Sequence, residues 1–452
     1  MTPAPREAEP TASGLADTFR RFDLSSRKAI VVAVSGGSDS TALLLLAREW
    51  RDRAAPATRI LATTVDHRLR AESSAEAAAV AALCAGLGID HLTLPWTGRK
   101  PATGLQAAAR EARLSLLAGA AEAAGTDIVL SGHTLDDQAE TVVMRAGRGP
   151  GIGLAGMAPA TLVDGSVWFV RPLLETRRET LRAFLRGRGI GWIDDPSNEN
   201  PAFERVRLRS RASAVDQTVD AEAIVAAGRK RRDLAARAAA LIDAHGSTPS
   251  RGLVRLDPAF LDAQDTDAAV HAFRALLAAV GGVGHLPDLP RCAALIGRAG
   301  RPLRATLSRA VVDARRRGIF LFREQRNLPE PTEAVDGMVW DGRFRIRLNG
   351  PAGPVVGPAG KAAFGSGEAT APSSLVRAAL SAEPALSGDG AGASGPTLLE
   401  EASSPVAARR LALPWSRFLP CFDLPLARAV ARVVGAPPFR SPPCHGHKGA
   451  KA

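Results

Sequence analysis

Cysteine is scarce in this chain, and what there is lies scattered. Cys84, Cys292, Cys421 and Cys444 form no C-x-x-C pair, which argues against a disulfide scaffold, a zinc ribbon or an iron–sulfur site. Cys444-His445-Gly446-His447 has metal-ligating residue types but no second cluster, and a disordered polar end is the better reading. Long apolar runs are missing too: stretches such as Ala29–Val34 and Ala42–Ala47 fall far short of the ~20 residues of a membrane span. Met1–Glu9 holds prolines and acids without an apolar core, so it is no signal peptide, and a cytoplasmic protein with no membrane partner is expected. Lysine is nearly absent, six residues against 52 arginines.

The 452-residue chain still carries a net charge of +12. Such a surplus favours a polyanionic partner, because each cation near a phosphate releases counterions. A GC-rich genome produces the same arginine bias, so charge alone does not decide for nucleic acid. Hydrophobic residues at 46% and charged residues at 23% allow a packed core, and the length allows two to four domains at roughly 100–200 residues each.

From Ala29 to Arg209 short apolar runs alternate with Ala-rich helical patterns, the mark of a parallel sheet covered by helices. Strands are predicted at Ala29–Val34, Arg59–Val65, His91–Leu94, Asp127–Leu130 and Val167–Val170. Helices are predicted at Ser40–Asp52, Ser73–Leu87, Gly104–Ala124, Asp136–Ala146 and Arg177–Arg188. The expected fold is α/β, a Rossmann-like parallel sheet with helices on both faces, then a helical region and a small α+β C-terminal region. Beyond Arg209, helices are expected at Val219–Ala244 and Asp265–Val280, a hairpin from Arg304–Val312 and Gly318–Arg323, and a strand at Gly342–Leu348. The domain division that follows is a flexible N-terminus (1–25), a catalytic domain (26–212), a helical RNA-binding domain (213–300), a β-hairpin region (301–351), a Gly/Ala/Ser-rich linker (352–396) and a C-terminal segment with its tail (397–452).

The first strand runs directly into Ser35-Gly36-Gly37-Ser38-Asp39-Ser40-Thr41 and then a helix. Two glycines permit positive φ and close approach of a ligand. Ser35, Ser38, Ser40 and the backbone amides then face an anion at a helix N-terminus. An acid among phosphate ligands makes sense if Asp39 holds Mg²⁺ against a pyrophosphate. No G-x-x-x-x-G-K-[ST] occurs, so this is not a Walker loop. The run resembles the pyrophosphate loop of the N-type ATP pyrophosphatases, which implies ATP cleaved to AMP and pyrophosphate. Gly151-Ile152-Gly153-Leu154-Ala155-Gly156 fits G-x-G-x-x-G only in letters, since it follows a predicted helix rather than a strand; a mobile loop over the site is expected instead.

Further motifs follow in order: Val65-Asp66-His67-Arg68-Leu69-Arg70, Gly132-His133-Thr134-Leu135-Asp136-Asp137-Gln138-Ala139-Glu140-Thr141, the glycine-rich run to Met157, Arg171-Pro172-Leu173, Trp192-Ile193-Asp194-Asp195-Pro196-Ser197-Asn198 and Arg205-Val206-Arg207-Leu208-Arg209. With the phosphate loop these resemble the tRNA(Ile)-lysidine synthetase family, clearly over 29–209 and more loosely to about Leu348. That resemblance implies a ligase that uses ATP to attach lysine to the wobble cytidine of the CAU-anticodon isoleucine tRNA. ATP adenylates the C2 carbonyl oxygen, and the lysine ε-amine then displaces AMP.

Roles follow from chemistry. His133, just past a strand end, is placed to hydrogen-bond an ATP phosphate or developing charge. Asp137 and Glu140, three apart on one helix face, suit a cationic amino acid or a metal and are assigned to lysine recognition, and Asp137 is also a candidate to deprotonate the amine. Asp136 or Asp137 has a competing role as helix N-cap. Arg110 and Arg113 are candidates to clamp the α-phosphate or the adenylated base, with Arg113 favoured as catalytic. Asp194-Asp195-Pro196 is expected to form a rigid turn. For tRNA the candidates are Arg205, Arg209, the helix cluster Arg229, Lys230, Arg231 and Arg232, and the turn Arg315-Arg316-Arg317. Relatives often dimerise, which makes a homodimer one expectation, although no segment marks an interface. A tRNA thiolation enzyme is the main alternative, and the unpaired cysteines count against it.

Overall fold

A computed structural model of the chain describes residues 14–15, 17–146, 152–194, 221–350, 353–360, 371–387, 397–400 and 405–444. The chain divides into a unit of residues 1–229 with 440–452 and a unit of residues 230–439. The expected boundary at 212/213 lies outside the described residues.

In the first unit, strands β1 (Ala29–Ala33), β2 (Arg59–Asp66), β3 (Asp90–Pro95) and β4 (Ile128–Leu130) alternate with helices α1 (Ser38–Ala54), α2 (Ser73–Gly86) and α3 (Leu105–Ala123). Then come α4 (Leu135–Ala146), β5 (Ala160–Val163), β6 (Val167–Val170) and α5 (Arg178–Arg186). The strands lie in the order β5-β6-β4-β1-β2-β3. All pairings are parallel except β5 with β6. The sequence reading missed β5, whose four residues are too few for a period to show.

Alternation of side chains across the sheet explains why both faces are covered. Val31 and Val129 point to one face, where Leu114, Leu117 and Ala121 of α3 close a core with Phe169. Ile30 and Val32 point the other way and are equally buried. The N-terminal stretch expected to be flexible is tied down from Asp17 onward. Phe19 is fully buried and stacks on Trp50 at 5.9 Å, and Phe22 bridges to Cys444. Two aromatic side chains and Leu24 give these residues enough apolar surface to dock. His445 and His447 lie outside the described residues.

In the second unit the main body of helix α6 (Ala221–His245) leads to β7 (Gly246–Ser250) and β8 (Leu253–Leu256), then α7 (Thr266–Gly281) and α8 (Leu289–Arg298). Strands β9 (Leu303–Leu307), β10 (Ala310–Arg315) and β11 (Gly318–Arg323) complete an antiparallel sheet ordered β7-β8-β11-β10-β9. Its strands cross the expected 300/301 boundary, so the helices and the hairpin are one structure. The stretch Arg304–Val312, read as one arm, is two strands, because Ser308 (φ 52°) and Arg309 (φ 63°) both turn left-handed between them.

The segment 352–396 was expected to be a linker. Among its described residues it contains strand Val355–Pro358, helix Ser373–Leu380 and strand Pro384–Ser387. The helix supplies core: Leu375, Val376 and Ala379 are buried against Phe320 and Phe322 of β11. Glu383, wholly buried, holds Arg251, Arg343 and Arg410.

Candidate active site

Strand β1 ends at Ala33, and the amide of Val34 still bonds to the Thr63 carbonyl of β2 at 2.9 Å, so the loop leaves the C-terminal edge of the sheet in fixed register. Gly36 adopts φ +86°, and a Cβ there would meet Ile193 Cδ1 at 2.6 Å. The loop is braced from within: the Ser35 amide donates to Ser40 Oγ (3.1 Å), Ser40 Oγ donates to the Gly37 carbonyl (3.1 Å), and Thr41 Oγ1 donates to the Gly36 carbonyl (3.2 Å). Gly37 is the N-cap of α1 and offers no side chain to the first-turn amides. Those amides and the positive end of the helix dipole are thus presented to an incoming anion.

A second loop is packed onto the first. A Cβ on Gly132 would lie 2.9 Å from the Asp39 carbonyl oxygen, so glycine lets the segment after β4 rest on the opening turn of α1. His133 follows immediately, its Nδ1 3.1 Å from Ser131 Oγ. Helix α4 starts at Leu135 with Thr134 as its cap. Asp137 Oδ2 accepts from the Thr134 amide (2.8 Å) and Oγ1 (3.0 Å), the reach-back half of a capping box. Asp136 caps a different helix: its Oδ2 accepts from the amide of Arg178, first residue of α5, at 2.7 Å. Glu140 is buried one turn further along α4.

Arg178 joins these parts and was not singled out from the sequence. Its Nε donates to Asp39 Oδ2 at 2.8 Å, and its Nη2 reaches Asp137 Oδ1 at 3.4 Å. Burial is the largest influence on Asp39 and holds its carboxyl above the usual range. Arg178 pulls against that rise and the neighbouring charge of Asp137 adds to it. Arg178 itself loses solvation, yet the two carboxylates hold its pKa above the ordinary value. The one available signal was an arginine at a helix N-terminus, where the dipole disfavours a cation.

Arg113 of α3 stands by His67 at the end of β2 and, after burial, is the next influence depressing that imidazole's pKa. Arg110 is exposed. The glycine-rich segment follows α4, as expected, but its described part is anchored rather than free. Gln138 accepts from the Met157 amide (2.6 Å) and donates to its carbonyl (3.1 Å), and Arg145 donates to the Gly156 carbonyl (2.7 Å). Arg171 is buried, donating to the Ala158 carbonyl at 2.9 Å.

Of the tRNA candidates, Arg229 and Lys230 are exposed on α6 and Arg232 is half-buried. Arg231 requires a correction: it points inward and grips Asp423 with both arms, at 2.7 and 2.6 Å. Helical periodicity forces this, since four consecutive basic residues cannot share one face. Arg316 and Arg317 are exposed in the β10–β11 turn, while Arg315 bonds Asp313 at 2.6 Å. Arg205, Arg209, Asp195 and Pro196 lie outside the described residues.

The residues fit both expected cofactors. Open amides and glycine-lined space at the start of α1 suit a polyphosphate. Asp39 with the neighbouring Ser38 hydroxyl supplies hard oxygen donors. That suits Mg²⁺, which keeps its waters and takes phosphate oxygens as ligands. No helix among the described residues is long and apolar enough to cross a membrane.

A two-glycine loop with an internal acid, carried from a parallel strand to a helix N-terminus, defines an ATP-binding PP-loop protein, and the PP-loop domain family model matches residues 10–214. The chain is 51% identical over 443 residues to the tRNA(Ile)-lysidine synthase of Mesorhizobium japonicum, covering 92% of this chain and 94% of that one. It is 38% identical to the Rhizobium meliloti enzyme of the same name (95% and 97% covered) and 41% identical to that of Brucella anthropi (75% and 78%). The chain belongs to the tRNA(Ile)-lysidine synthase family.

Proposed function

We propose that the protein joins lysine to C2 of the wobble cytidine of a CAU-anticodon isoleucine tRNA, at the expense of ATP and through an adenylated cytidine. A cytoplasmic setting follows from that substrate. The observation that carries the reading beyond family membership is the meeting of Asp39 and Asp137 at Arg178, which puts the nucleotide loop and the acidic face of α4 on one sheet edge.

In this reading the first-turn amides of α1, with Ser35, Ser38 and Ser40, bind the pyrophosphate portion of ATP. Asp39 holds Mg²⁺, which when bound neutralises charge on the phosphates. The cytosine C2 oxygen attacks the α-phosphorus and pyrophosphate leaves. Arg113 and His133 face the charge that develops on the α-phosphate. Asp137 and the buried Glu140 receive the lysine ε-ammonium, and Asp137 takes its proton through the oxygen not committed to the helix cap. The neutral amine adds to C2, the C2–O bond breaks, and AMP carries the oxygen away. Arg205, Arg209, Arg229, Lys230 and Arg232 contact tRNA phosphates, positioning the anticodon loop without reading it.

The experiment is direct. Purified protein with ATP, Mg²⁺, labelled lysine and the CAU-anticodon tRNA is expected to release AMP and place label in the tRNA. Asp39→Ala is expected to abolish both while tRNA affinity stays near its original value. Label incorporated without ATP, or normal turnover by Asp39→Ala, sinks the reading.

A further inference from the structure

Arg178 occupies a position that local stability does not account for. It is the first residue of α5, where the helix dipole opposes a cation, and its side chain is only 21% exposed. What it gains there is two carboxylates from different helices, Asp39 of α1 and Asp137 of α4. Both are assigned above to ligand cations, Asp39 to a metal on ATP and Asp137 to the lysine ammonium. Each is already engaged by the same guanidinium.

We propose that Arg178 is a built-in counterion that keeps Asp39 closed to free divalent cations and yields it only to a cation that arrives on nucleotide phosphates. This rests on the assignment of Asp39 to an ATP-bound metal. With Arg178 in place Asp39 and Asp137 keep a single net negative charge between them, while Asp136 is engaged by the Arg178 amide. Without it two carboxylates and the Ser38 hydroxyl would offer hard oxygen donors to any Mg²⁺ in solution. A bare cation that displaces Arg178 from Asp39 strands a half-desolvated guanidinium beside a metal ion. A metal–triphosphate complex brings anionic oxygens of its own, which the planar guanidinium can take through two parallel N–H donors. The exchange is therefore balanced only when metal and nucleotide arrive together. The pyrophosphate loop thereby avoids trapping a metal ion that would have to be displaced before each turnover.

The test uses Mn²⁺, visible by electron paramagnetic resonance, titrated into the full chain without nucleotide. The wild-type protein is expected to leave Mn²⁺ free up to about 1 mM, and with ATP to take it up beyond what the same ATP binds without protein. Arg178→Gln is expected to bind Mn²⁺ without nucleotide at least about tenfold more tightly, and Asp39→Asn in that background to remove the gain. Arg178→Lys keeps the charge and is expected to leave Mn²⁺ free without nucleotide as the wild type does, a rescue that a purely structural role would not produce, although it lacks the two parallel donors for the triphosphate. Nucleotide-free Mn²⁺ uptake by the wild-type chain that Asp39→Asn removes would overturn the counterion role even if Arg178→Gln did not fold. A folded Arg178→Gln with no gain in Mn²⁺ affinity would do the same. Wild-type protein that takes up no Mn²⁺ even with ATP would instead overturn the nucleotide assignment of Asp39, and the counterion role with it.

Discussion

Ile193 closes the back of the phosphate loop: its amide donates to the Gly36 carbonyl at 2.9 Å, and its Cδ1 stands 2.6 Å from where a Cβ on Gly36 would lie. Gly36→Ala therefore meets two obstacles, a left-handed φ of +86° and an occupied space. The backbone strain alone is about 1–3 kcal/mol. ATP-dependent AMP release is expected to fall by at least about tenfold, since a shift in the loop misdirects the amides that bind phosphate. Adding Ile193→Ala should recover the steric part and leave the conformational part, so the double variant is expected to lie between Gly36→Ala and wild type. Equal activity of Gly36→Ala and wild type would show that the loop does not need this conformation.

Gln138 grips the backbone of Met157 through both ends of its amide, and a Cβ on Gly156 would come within 2.5 Å of its Oε1. Gln138→Ala removes two hydrogen bonds, each contributing about 1 kcal/mol, from a segment otherwise held by Arg145. Amide exchange at residues 153–157 is expected to quicken by about tenfold or more, with strand β1 unchanged. Hydrogen-exchange mass spectrometry reads both; unchanged protection at Met157 would mean the grip is incidental.

The parts legible in the sequence were those whose chemistry forces a local run. The phosphate loop needs glycine, hydroxyl and acid side by side between a strand and a helix, and residues 35–41 show all of it. Arg178 was hidden for the opposite reason. Its role comes from contacts with Asp39 and Asp137, 139 and 41 residues away along the chain, and its one local signal, a place at a helix N-terminus, is shared with Arg177. Composition misled at 352–396, where Gly, Ala and Ser read as a linker although alanine packs closely in β-helix contacts. Gly246–Ser250 shows no apolar alternation and is nonetheless a strand, because the antiparallel partner Leu253–Leu256 supplies the hydrophobic face it lacks.

The basic cluster on α6 divides by face, and the two halves should fail differently. Arg231 is bidentate to Asp423, which also accepts from Trp415 Nε1 at 3.2 Å. Arg231→Ala leaves a buried carboxylate without its cation and is expected to cost about 3 kcal/mol of stability. Arg229→Ala and Lys230→Ala, both exposed, are expected to stay within about 0.5 kcal/mol of wild type. Each should instead lower the slope of log affinity for tRNA against log salt by about 1. Denaturant titration and filter binding at several salt concentrations separate the two effects.

Glu383 is the counter-charge on which the second unit's polar core depends. Its carboxylate, wholly buried, meets Arg251 at 2.9 Å, Arg343 at 3.0 Å and Arg410, while Asp341 holds Arg309, Arg323 and Arg343. Burial is the largest single influence and disfavours the charge, but Arg410, Arg343 and Arg251 together outweigh it and hold the pKa down to about 2, against 4.5 for an ordinary glutamate. A folded pKa below the unfolded one means the stabilising contribution is complete above about pH 4.5 and is lost as pH falls toward 2. Glu383→Gln keeps the shape but takes the carboxylate from Arg251 and Arg410 and leaves Arg343 only that of Asp341, and is expected to cost about 3–5 kcal/mol at neutral pH. It should also flatten the fall in stability between pH 4.5 and 2, because its side chain no longer takes up a proton on unfolding. Urea midpoints across that range, compared between the two proteins, test both signs; an unaltered slope would place the acid sensitivity elsewhere.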